Sequence, residues 1–515
     1  MPLNIKTSPV LCAACGAALS YYGLFPLYRS AAISIDALLV LAFIPASLLS
    51  LSWVLVSAAL ELPQPLIKDL KPQAIQQLRL MPTRLAAFAA GLAFGIGIGS
   101  NAVQSISFGL PEDTIQAISG TVLDDPRITS SGRAMTKISL KMVTGKNNVK
   151  AGTRGEITVF FPPENSERLK EFGRGTEVFA EGELREGSNN FGGGHAFFAK
   201  TLHITKAAPP IERFRTGLRM DIEYRFTQSP FGDPAWGGLA LALLVGIRDN
   251  LESSFASVYR DAGCAHILAL SGMHLAILIG LISFLLKRPL GLRPAAIIGV
   301  VMILAYCYIV GPMPSLNRAA LMYFLGVVAI LGMLKRDALL LLCMAFLVQL
   351  AFAPATGFSL SFIFSYLALA GILIIGSFIN TIFKGKIPAF LLMSISASLG
   401  AFISTAVIST WAFDILRPAG IASTLLVAPL TTVFMVGSIA WLLLNVAAPA
   451  LSPLLSHPLA LLYWLMERIA FVTAKLPGII MKPAPVLAMS LFVTALIWWF
   501  AYRRRSAADR LEPFA

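Results

Sequence analysis

Long apolar runs dominate the hydrophobic pattern of this chain, and each approaches the roughly 20 residues that a helix needs to cross a bilayer. They predict a polytopic α-helical membrane protein of about twelve spans. The predicted spans are residues 10–28, 33–60, 85–106, 264–286, 294–311, 318–334, 337–353, 358–378, 388–411, 418–446, 455–474 and 485–502. A shorter apolar run that includes Trp236 favours an interfacial or re-entrant helix.

The middle segment, residues 111–233, is polar and alternates in hydrophobicity, which predicts short β-strands. The stretch GRAMTKISLKMVTG alternates most clearly, with one face formed by Ile138, Leu140 and Met142 and the other by Lys137, Ser139 and Lys141. Strands are also predicted for TIQAISGTVLDD, RGEITVFF, TEVFAEGELRE and HAFFAKTLHITK, with a brief helix, ENSERLKEF, after the third strand. This pattern matches a small closed barrel of the oligonucleotide/oligosaccharide-binding (OB) type.

Composition and charge support this division and set the predicted orientation. The chain is 56% hydrophobic and 13% charged, which excludes an ordinary soluble enzyme. Basic clusters near residues 287–293, 335–336, 384–386 and 503–505 fall at alternate span ends and predict cytoplasmic termini. We therefore expect N-terminal spans (1–110), an extracytoplasmic OB-like domain (111–233) and a polytopic membrane domain (234–515).

Net charge alone is weak evidence for a nucleic-acid partner. The total is +14, but lysines and arginines barely outnumber acidic residues within 111–233. Most of the excess lies among the membrane segments, where basic residues favour the cytoplasmic side.

The stretch AGCAHILALSGMHLAILIG, residues 262–280, combines an apolar run with His266, Ser271, Gly272 and His274. The Ser-Gly pair predicts a helix break, and the start of a half-helix suits an anionic phosphate. Polar groups that line a path are one interpretation, and histidines hydrogen-bonded inside a packed bundle are another. On a straight helix eight residues separate the histidines by about 12 Å along the axis, so both could bind one metal ion only across a break, and no third ligand is apparent. We expect no metal and no cofactor.

Other polar groups within the apolar runs are candidates for the same path. Ser315 is predicted to cap the helix that carries Asn317 and Arg318, and Arg318 is a candidate phosphate or carboxylate contact. Snorkelling of the arginine to the interface is the alternative. A serine-rich stretch suggests either a polar stripe or close helix packing by small residues. Its members are Ser359, Ser361 and Ser365. An ion pair between Asp414 and Arg417 is also predicted.

A basic run without acidic residues lies in the predicted barrel, and a groove of basic and aromatic side chains suits single-stranded nucleic acid. The candidate DNA-binding residues are Arg133, Lys137, Lys141, Lys146, Lys150 and Arg154. The candidate stacking residues are Phe160, Phe161, Phe197 and Phe198. The alternative is a solvated hairpin over core phenylalanines.

The motifs HILALSGMHLAIL, PSLNRAALMYFL, GFSLSFIFSYLALAGI and APLTT, in this order, resemble those of the ComEC family of competence proteins. The resemblance covers roughly residues 30–500. It assigns two groups of residues to family motif positions: His266, Ser271, Gly272, His274 and Arg318, then Gly357, Leu360, Ser361 and Phe362. The chain departs from the family at Ser359, where glutamine is common, and near Thr424, where asparagine is common. We expect a short form without the metallo-β-lactamase-like domain of many relatives.

The resemblance implies an inner-membrane channel that passes single-stranded DNA into the cytoplasm during natural transformation. It also implies a separate DNA receptor, translocation motor and nuclease, and leaves open whether one chain or a homo-oligomer forms the path. We expect no catalytic residue in such a channel. The rival hypotheses are an intramembrane enzyme that uses His266, Ser271 and His274, and a small-solute transporter.

Overall fold

The computed structural model describes most of the chain, in two compact units: residues 1–104 with 321–366, and 105–320 with 367–515. The described residues are 9–23, 72–102, 109–128, 133–153, 155–162, 173–186, 195–228, 232–334, 336–482 and part of 484–496. Five sequence predictions fall outside them: the span 33–60, the helix ENSERLKEF, Arg154, most of the span 485–502, and the basic cluster 503–505.

The first unit contains helices α1 (Pro9–Gly23), α2 (Pro72–Ala102), the end of α9 (Pro314–Leu331), α10 (Ala338–Phe352) and the N-terminal part of α11 (Leu360–Gly371). Small residues bring α1 and α2 close together, and a Cβ on Gly91 would lie 2.0 Å from the carbonyl oxygen of Ala13. The Tyr22 hydroxyl donates to the Gly357 carbonyl over 2.9 Å. The start of the predicted serine-rich stretch is therefore tied to α1.

The middle segment forms a closed barrel of five strands, as the sequence predicts. The long strands are β1 (Ile115–Val122), β3 (Ala134–Gly145), β5 (Glu156–Phe161), β6 (Glu177–Glu186) and β7 (His195–Lys206). They pair in the closed order β1-β6-β7-β5-β3-β1, and only β5 and β7 are parallel. Two short strands, β2 (Arg127–Ile128) and β4 (Lys150–Gly152), also pair with β3. The interior is filled by apolar side chains such as Ile118, Ile138 and Val159.

A β-bulge in β3 corrects the predicted alternation. Ser119 pairs with Met142 while the next residue, Gly120, pairs with Leu140, so Lys141 is an extra residue in the strand. Beyond this point the faces are exchanged. Met142 is 39% exposed and Val143 is fully buried, so the prediction that Met142 shares the inner face of Ile138 and Leu140 is wrong.

The second unit contains the remaining helices. They are α3 (Pro210–Thr227), α4 (Pro234–Leu244), α5 (Ser253–Asp261), α6 (Ala265–Leu268), α7 (Gly272–Leu290), α8 (Leu292–Val310), the start of α9 (Pro314–Leu331), the end of α11, α12 (Ser377–Phe383), α13 (Ala389–Phe413), α14 (Ala419–Ala447) and α15 (Pro453–Ala474). A π-helical segment, Ile372–Gly376, joins α11 to α12. Strands β8 (Ile415–Leu416) and β9 (Ile479–Ile480) pair with each other.

Six helices among the described residues are long and apolar enough to cross a membrane: α7, α8, α9, α11 with α12, α13 and α14. These correspond to six of the predicted spans. The predicted span 337–353 forms α10, which has only 15 residues, and the predicted span 455–474 forms α15, which is not one of the six. The chain is thus a membrane protein with a barrel domain.

The short apolar run that includes Trp236 forms α4, which has 11 residues and is buried from Trp236 to Leu244. Asp233 caps its start by accepting a hydrogen bond from the Ala235 amide over 2.7 Å. Around it, Trp236 and Phe226 pack on Trp441 of α14, with ring centroids 5.1 and 5.0 Å apart respectively. The helix is too short to span a bilayer, as predicted, and it lies in the hydrophobic core of the unit.

Two arginines of α3 connect the barrel to the end of α8. The guanidinium of Arg215, 2% exposed, donates to both carboxylate oxygens of Asp125, over 3.1 and 2.6 Å. Its Nε donates to the Tyr308 carbonyl over 2.8 Å. Arg219 donates to the carbonyls of Ile309 and Val310 over 2.9 and 3.0 Å. These contacts satisfy the last carbonyls of α8, which a helix terminus leaves without partners.

Candidate functional site

The predicted helix break at Ser271–Gly272 is present, and the membrane-length helix within the predicted span 264–286 begins at Gly272. The chain forms the one-turn helix α6, then extends through Ala269, and Ser271 has φ −127° and ψ 171°. Helix α7 begins at Gly272. The polar sequence at this point ends one helix and starts another, as expected of Ser-Gly within an apolar run.

A capping box formed by Ser271 and His274 starts α7. The Ser271 hydroxyl accepts from the Met273 amide over 3.3 Å, and His274 Nδ1 accepts from the Ser271 amide over 2.8 Å. Histidine thus takes the place that glutamate or glutamine fills in the common capping box. The Ser271 hydroxyl lies farther from Nδ1, at 3.3 Å. The Nδ1 lone pair is directed to the amide, so this geometry does not favour a serine nucleophile with a histidine base.

Arg318 packs against the start of α7. Its side chain is 8% exposed, and its Nη2 lies 2.5 Å from the position that a Cβ on Gly272 would take. Glycine is therefore what allows the guanidinium this close approach. Helix α9 begins at Pro314, so Ser315 lies inside its first turn and the predicted cap at Ser315 is wrong. Asn317, next to Arg318, is exposed.

The helix α6 before the break is held by the start of α14. The Ser423 hydroxyl donates to the Ala262 carbonyl over 2.9 Å, and the Thr424 hydroxyl lies 3.5 Å from His266 Nε2. The charge of Arg248 and the ring of His266 both act electrostatically on His274. The sequence reasoning missed Arg248, whose polar turn GIRDN after α4 was a usable signal.

The structure thus gathers five of the eight predicted channel residues around the start of α7: His266, Ser271, Gly272, His274 and Arg318. Ser359 and Ser361 belong to the other unit, where the Ser359 hydroxyl caps α11 by accepting from the Phe362 amide over 3.3 Å. The predicted pair between Asp414 and Arg417 is replaced by an ion pair of Arg417 with Asp261 at 2.9 Å. Asp414 instead ends α13 in the left-handed conformation, φ 56°.

A second polar site lies on the outside of the barrel, where β5, β7 and β6 run side by side. The rings of Phe160 and Phe198 are stacked with centroids 5.1 Å apart. The guanidinium carbons of Arg133 and Arg185 lie 5.7 and 4.9 Å from the centroid of Phe198. A pocket of about 330 Å³ is lined by Arg133, Pro162, Glu183, Arg185, Phe198, Ala199 and Lys200.

The barrel divides the predicted aromatic residues into two pairs. Phe160 and Phe198 lie on the outer surface, whereas Phe161 and Phe197 are buried in the barrel core. The expectation that all four are available for stacking is wrong, because successive residues of a strand face opposite sides of the sheet.

The predicted basic residues are also distributed unevenly. Lys137, Lys146 and Lys150 are exposed, and Lys141 forms an ion pair with Glu177 at 3.0 Å. Arg185 and Lys200 were missed, because their position beside Phe198 depends on strand register. Hydrogen bonds from Lys200 and Arg185 hold the pKa of Glu183 below its ordinary value, so the carboxylate beside the pocket is ionised at neutral pH.

Residues 243–506 match the sequence profile of the family described as Competence protein, which is more than half of the chain. The chain belongs to this family. The resemblance to ComEC proteins is therefore confirmed, and the Competence match contains the helix break and Arg318 but not the barrel.

Two similar proteins are ComE operon protein 3 of Bacillus subtilis (strain 168) and an uncharacterized protein of Aquifex aeolicus (strain VF5). The first is 27% identical over 281 residues, which cover 53% of this chain and 35% of the relative. The second is 30% identical over 194 residues, which cover 37% of this chain and 44% of the relative. This Competence chain thus aligns with less than half of each relative, and no solved structure matches it.

Proposed function

We propose that this chain is an inner-membrane channel that passes single-stranded DNA into the cytoplasm during natural transformation. Membership of the Competence protein family associates the chain with DNA uptake. The proposal assigns strand reception to the outer surface of the barrel and passage to the membrane unit. Force generation and strand degradation are assigned to other chains, a separate motor and nuclease.

The observation that carries the proposal is the break before α7. Polar and ionisable side chains inside a membrane domain usually face a bundle interior or a water-filled path. Here Ser271, His274 and Arg318 meet at the positive end of a helix. Such an end favours anions, and the DNA backbone carries one anion per nucleotide.

The barrel supports the same proposal with a different chemistry. Aromatic side chains on a basic surface bind single strands with little regard to sequence, because every base can stack on a ring. Phe160 and Phe198 supply two stacked rings, and Arg133 and Arg185 supply flanking charges. A strand that binds here would have its bases on the rings and its phosphates near the guanidinium groups.

A binding measurement tests strand reception. The purified full chain in detergent should bind a fluorescent single-stranded oligonucleotide, with an affinity that falls as salt rises. Phe198→Ala should weaken binding about tenfold, since base stacking on one ring contributes roughly 1–3 kcal/mol. Phe198→Tyr keeps the ring and should bind like the parent. Equal affinity of the alanine and tyrosine variants would reject the stacking role.

A transformation assay tests passage. Arg318→Ala should lower the transformation frequency of the source strain by at least about tenfold, the scale of one lost charge-assisted hydrogen bond. The amount of chain in the membrane, followed by immunoblot, is the control. Normal transformation by a variant that is present in normal amount would contradict the proposed passage.

A further inference from the structure

His274 has one ring nitrogen whose partner the capping box does not supply. The side chain is 1% exposed, and Nε2 is buried without a hydrogen-bond partner among the residues that the structure describes. The other nitrogen, Nδ1, accepts from the Ser271 amide over 2.8 Å. Buried polar atoms in folded proteins are almost always paired, so this nitrogen points to a ligand.

The capping contact fixes which nitrogen carries the proton. An amide N–H can donate to Nδ1 only when Nδ1 holds a lone pair. The ring is then neutral and its proton lies on Nε2. His274 therefore presents a buried N–H donor at the start of α7, and the group that satisfies it must be an acceptor.

The surroundings determine the charge of that acceptor. The start of α7 carries the positive end of the helix dipole, and the guanidinium of Arg318 packs on Gly272 at the same place. Arg248 also acts on His274 by its charge. The start of α7, where His274 lies, is therefore positively charged, and an anionic oxygen is the acceptor that such an environment favours.

We propose that Nε2–H of His274 donates a hydrogen bond to a phosphodiester oxygen of the DNA backbone, beside Arg318 at the start of α7. This inference rests on the proposed function for its ligand. It separates two roles of one imidazole: Nδ1 caps the helix, and Nε2 binds the passing strand. Recognition of phosphate rather than bases makes passage independent of sequence.

Two substitutions at His274 separate these roles. Both glutamine and glutamate can accept from the Ser271 amide and so preserve the capping box. Glutamine also offers an N–H₂ donor, whereas ionised glutamate offers only acceptors. If His274 has a purely structural role, His274→Glu should transform at least as often as His274→Gln, because an acidic residue in the first turn stabilises a helix.

The phosphodiester role predicts the opposite order. The transformation frequency of His274→Gln should be within a few-fold of that of the parent chain. That of His274→Glu should fall at least about a hundredfold when the two variants are equally abundant in the membrane. Equal transformation by the two variants would overturn the proposal. Because both are compared with a transforming parent, such a result would leave the channel function itself intact.

Nitrogen-15 NMR of histidine-labelled full chain in maltoside micelles gives a direct readout, with His274→Gln identifying the resonances. We expect a neutral ring protonated at Nε2, and a shift of that nitrogen when an abasic deoxyribose-phosphate oligomer is added. Protonation at Nδ1, or no shift with the oligomer, would overturn the proposal.

Phospholipid headgroups carry the same phosphodiester chemistry, so a second arm adds short-chain phosphatidylglycerol instead of the oligomer. A shift with the lipid that the oligomer does not displace would assign the site to lipid and reject the DNA backbone as its ligand. A shift with the oligomer in a chain that supports no transformation would reject the channel function and keep the phosphodiester site.

Discussion

At the scale of single residues, Gly272 has the clearest role, because a methyl group in its place would collide with a guanidinium. The sequence could predict the break here, since serine followed by glycine weakens a helix and favours a cap. It could not predict the approach of Arg318, which is distant in sequence and reaches Gly272 only through the packing of α9.

Gly272→Ala should displace Arg318 without weakening α7. The new Cβ would lie 2.5 Å from Nη2 and 3.3 Å from the Ala319 Cβ, so the flexible guanidinium must move. Alanine is a better helix former than glycine by about 1 kcal/mol, so the thermal stability of the purified chain should be kept. Transformation frequency should fall at least about tenfold, the scale of one lost charge-assisted contact.

The matched control for this change is Gly280→Ala in the same helix, where a Cβ would meet no atom within 4 Å. It should leave both stability and transformation unchanged. If the two glycine variants behave alike, the position of the guanidinium has no part in passage.

At the scale of elements, β3 shows how a strand can be predicted correctly while the faces of some of its residues are predicted wrongly. Alternation identifies the strand and the inner face of Ile138 and Leu140, because side chains of a strand repeat every second residue. The bulge at Lys141 depends on the register with β1, which one strand does not encode. Close packing at Gly120 accompanies it, since a Cβ there would lie 2.2 Å from the Ser139 carbonyl oxygen.

Adjacent substitutions in β3 test the exchanged faces. Val143→Thr keeps the side-chain shape but buries a hydroxyl, and should destabilise the barrel by about 1–3 kcal/mol. Met142→Thr replaces an exposed side chain and should change stability by less than about 0.5 kcal/mol. Protease resistance of the barrel in the purified full chain measures both. If Met142→Thr destabilises the barrel more than Val143→Thr, the exchanged faces would be rejected in favour of uninterrupted alternation.

At the scale of the whole second unit, Asp125 joins the barrel to α3 and, through Arg215 and Arg219, to the end of α8. Burial alone would raise the pKa of Asp125, but the hydrogen bonds and charge of Arg215, with Arg219, hold it below its ordinary value. The ion pair therefore stabilises the fold above the unfolded pKa of about 3.9 and loses this contribution as pH falls through the lower folded value.

Asp125→Asn should destabilise the chain by about 3 kcal/mol at neutral pH, because it leaves the buried guanidinium of Arg215 without a full counter-charge. Its unfolding midpoint should also depend less on pH below about 4 than that of the parent chain. Circular dichroism of the full chain in detergent from pH 3 to 7 measures both effects. Asp124→Asn, which removes the neighbouring carboxylate, is the control, and an equal loss in the two variants would contradict the role of the ion pair.

The order of segments along the chain was predictable at this scale, because long apolar runs and alternating polar stretches differ over tens of residues. The barrel, the short buried α4 and six long apolar helices follow that order. The connections between them were not predictable. Arg215 and Arg219 appear in the sequence as ordinary charges of an amphipathic helix, and only folding places them against Asp125 and the carbonyls of α8.

The last carbonyls of α8 accept hydrogen bonds from two arginines of α3, and these arginines pair with Asp125 beside the barrel. This arrangement limits how the chain can be recombined. A chimeric protein that exchanges the barrel at residue 206 would retain both arginines but lose the carboxylate of Asp125. Such a graft would need an acidic side chain at the equivalent loop position after its first strand. A barrel from another chain can thus replace this one only if it supplies an acidic residue at this position.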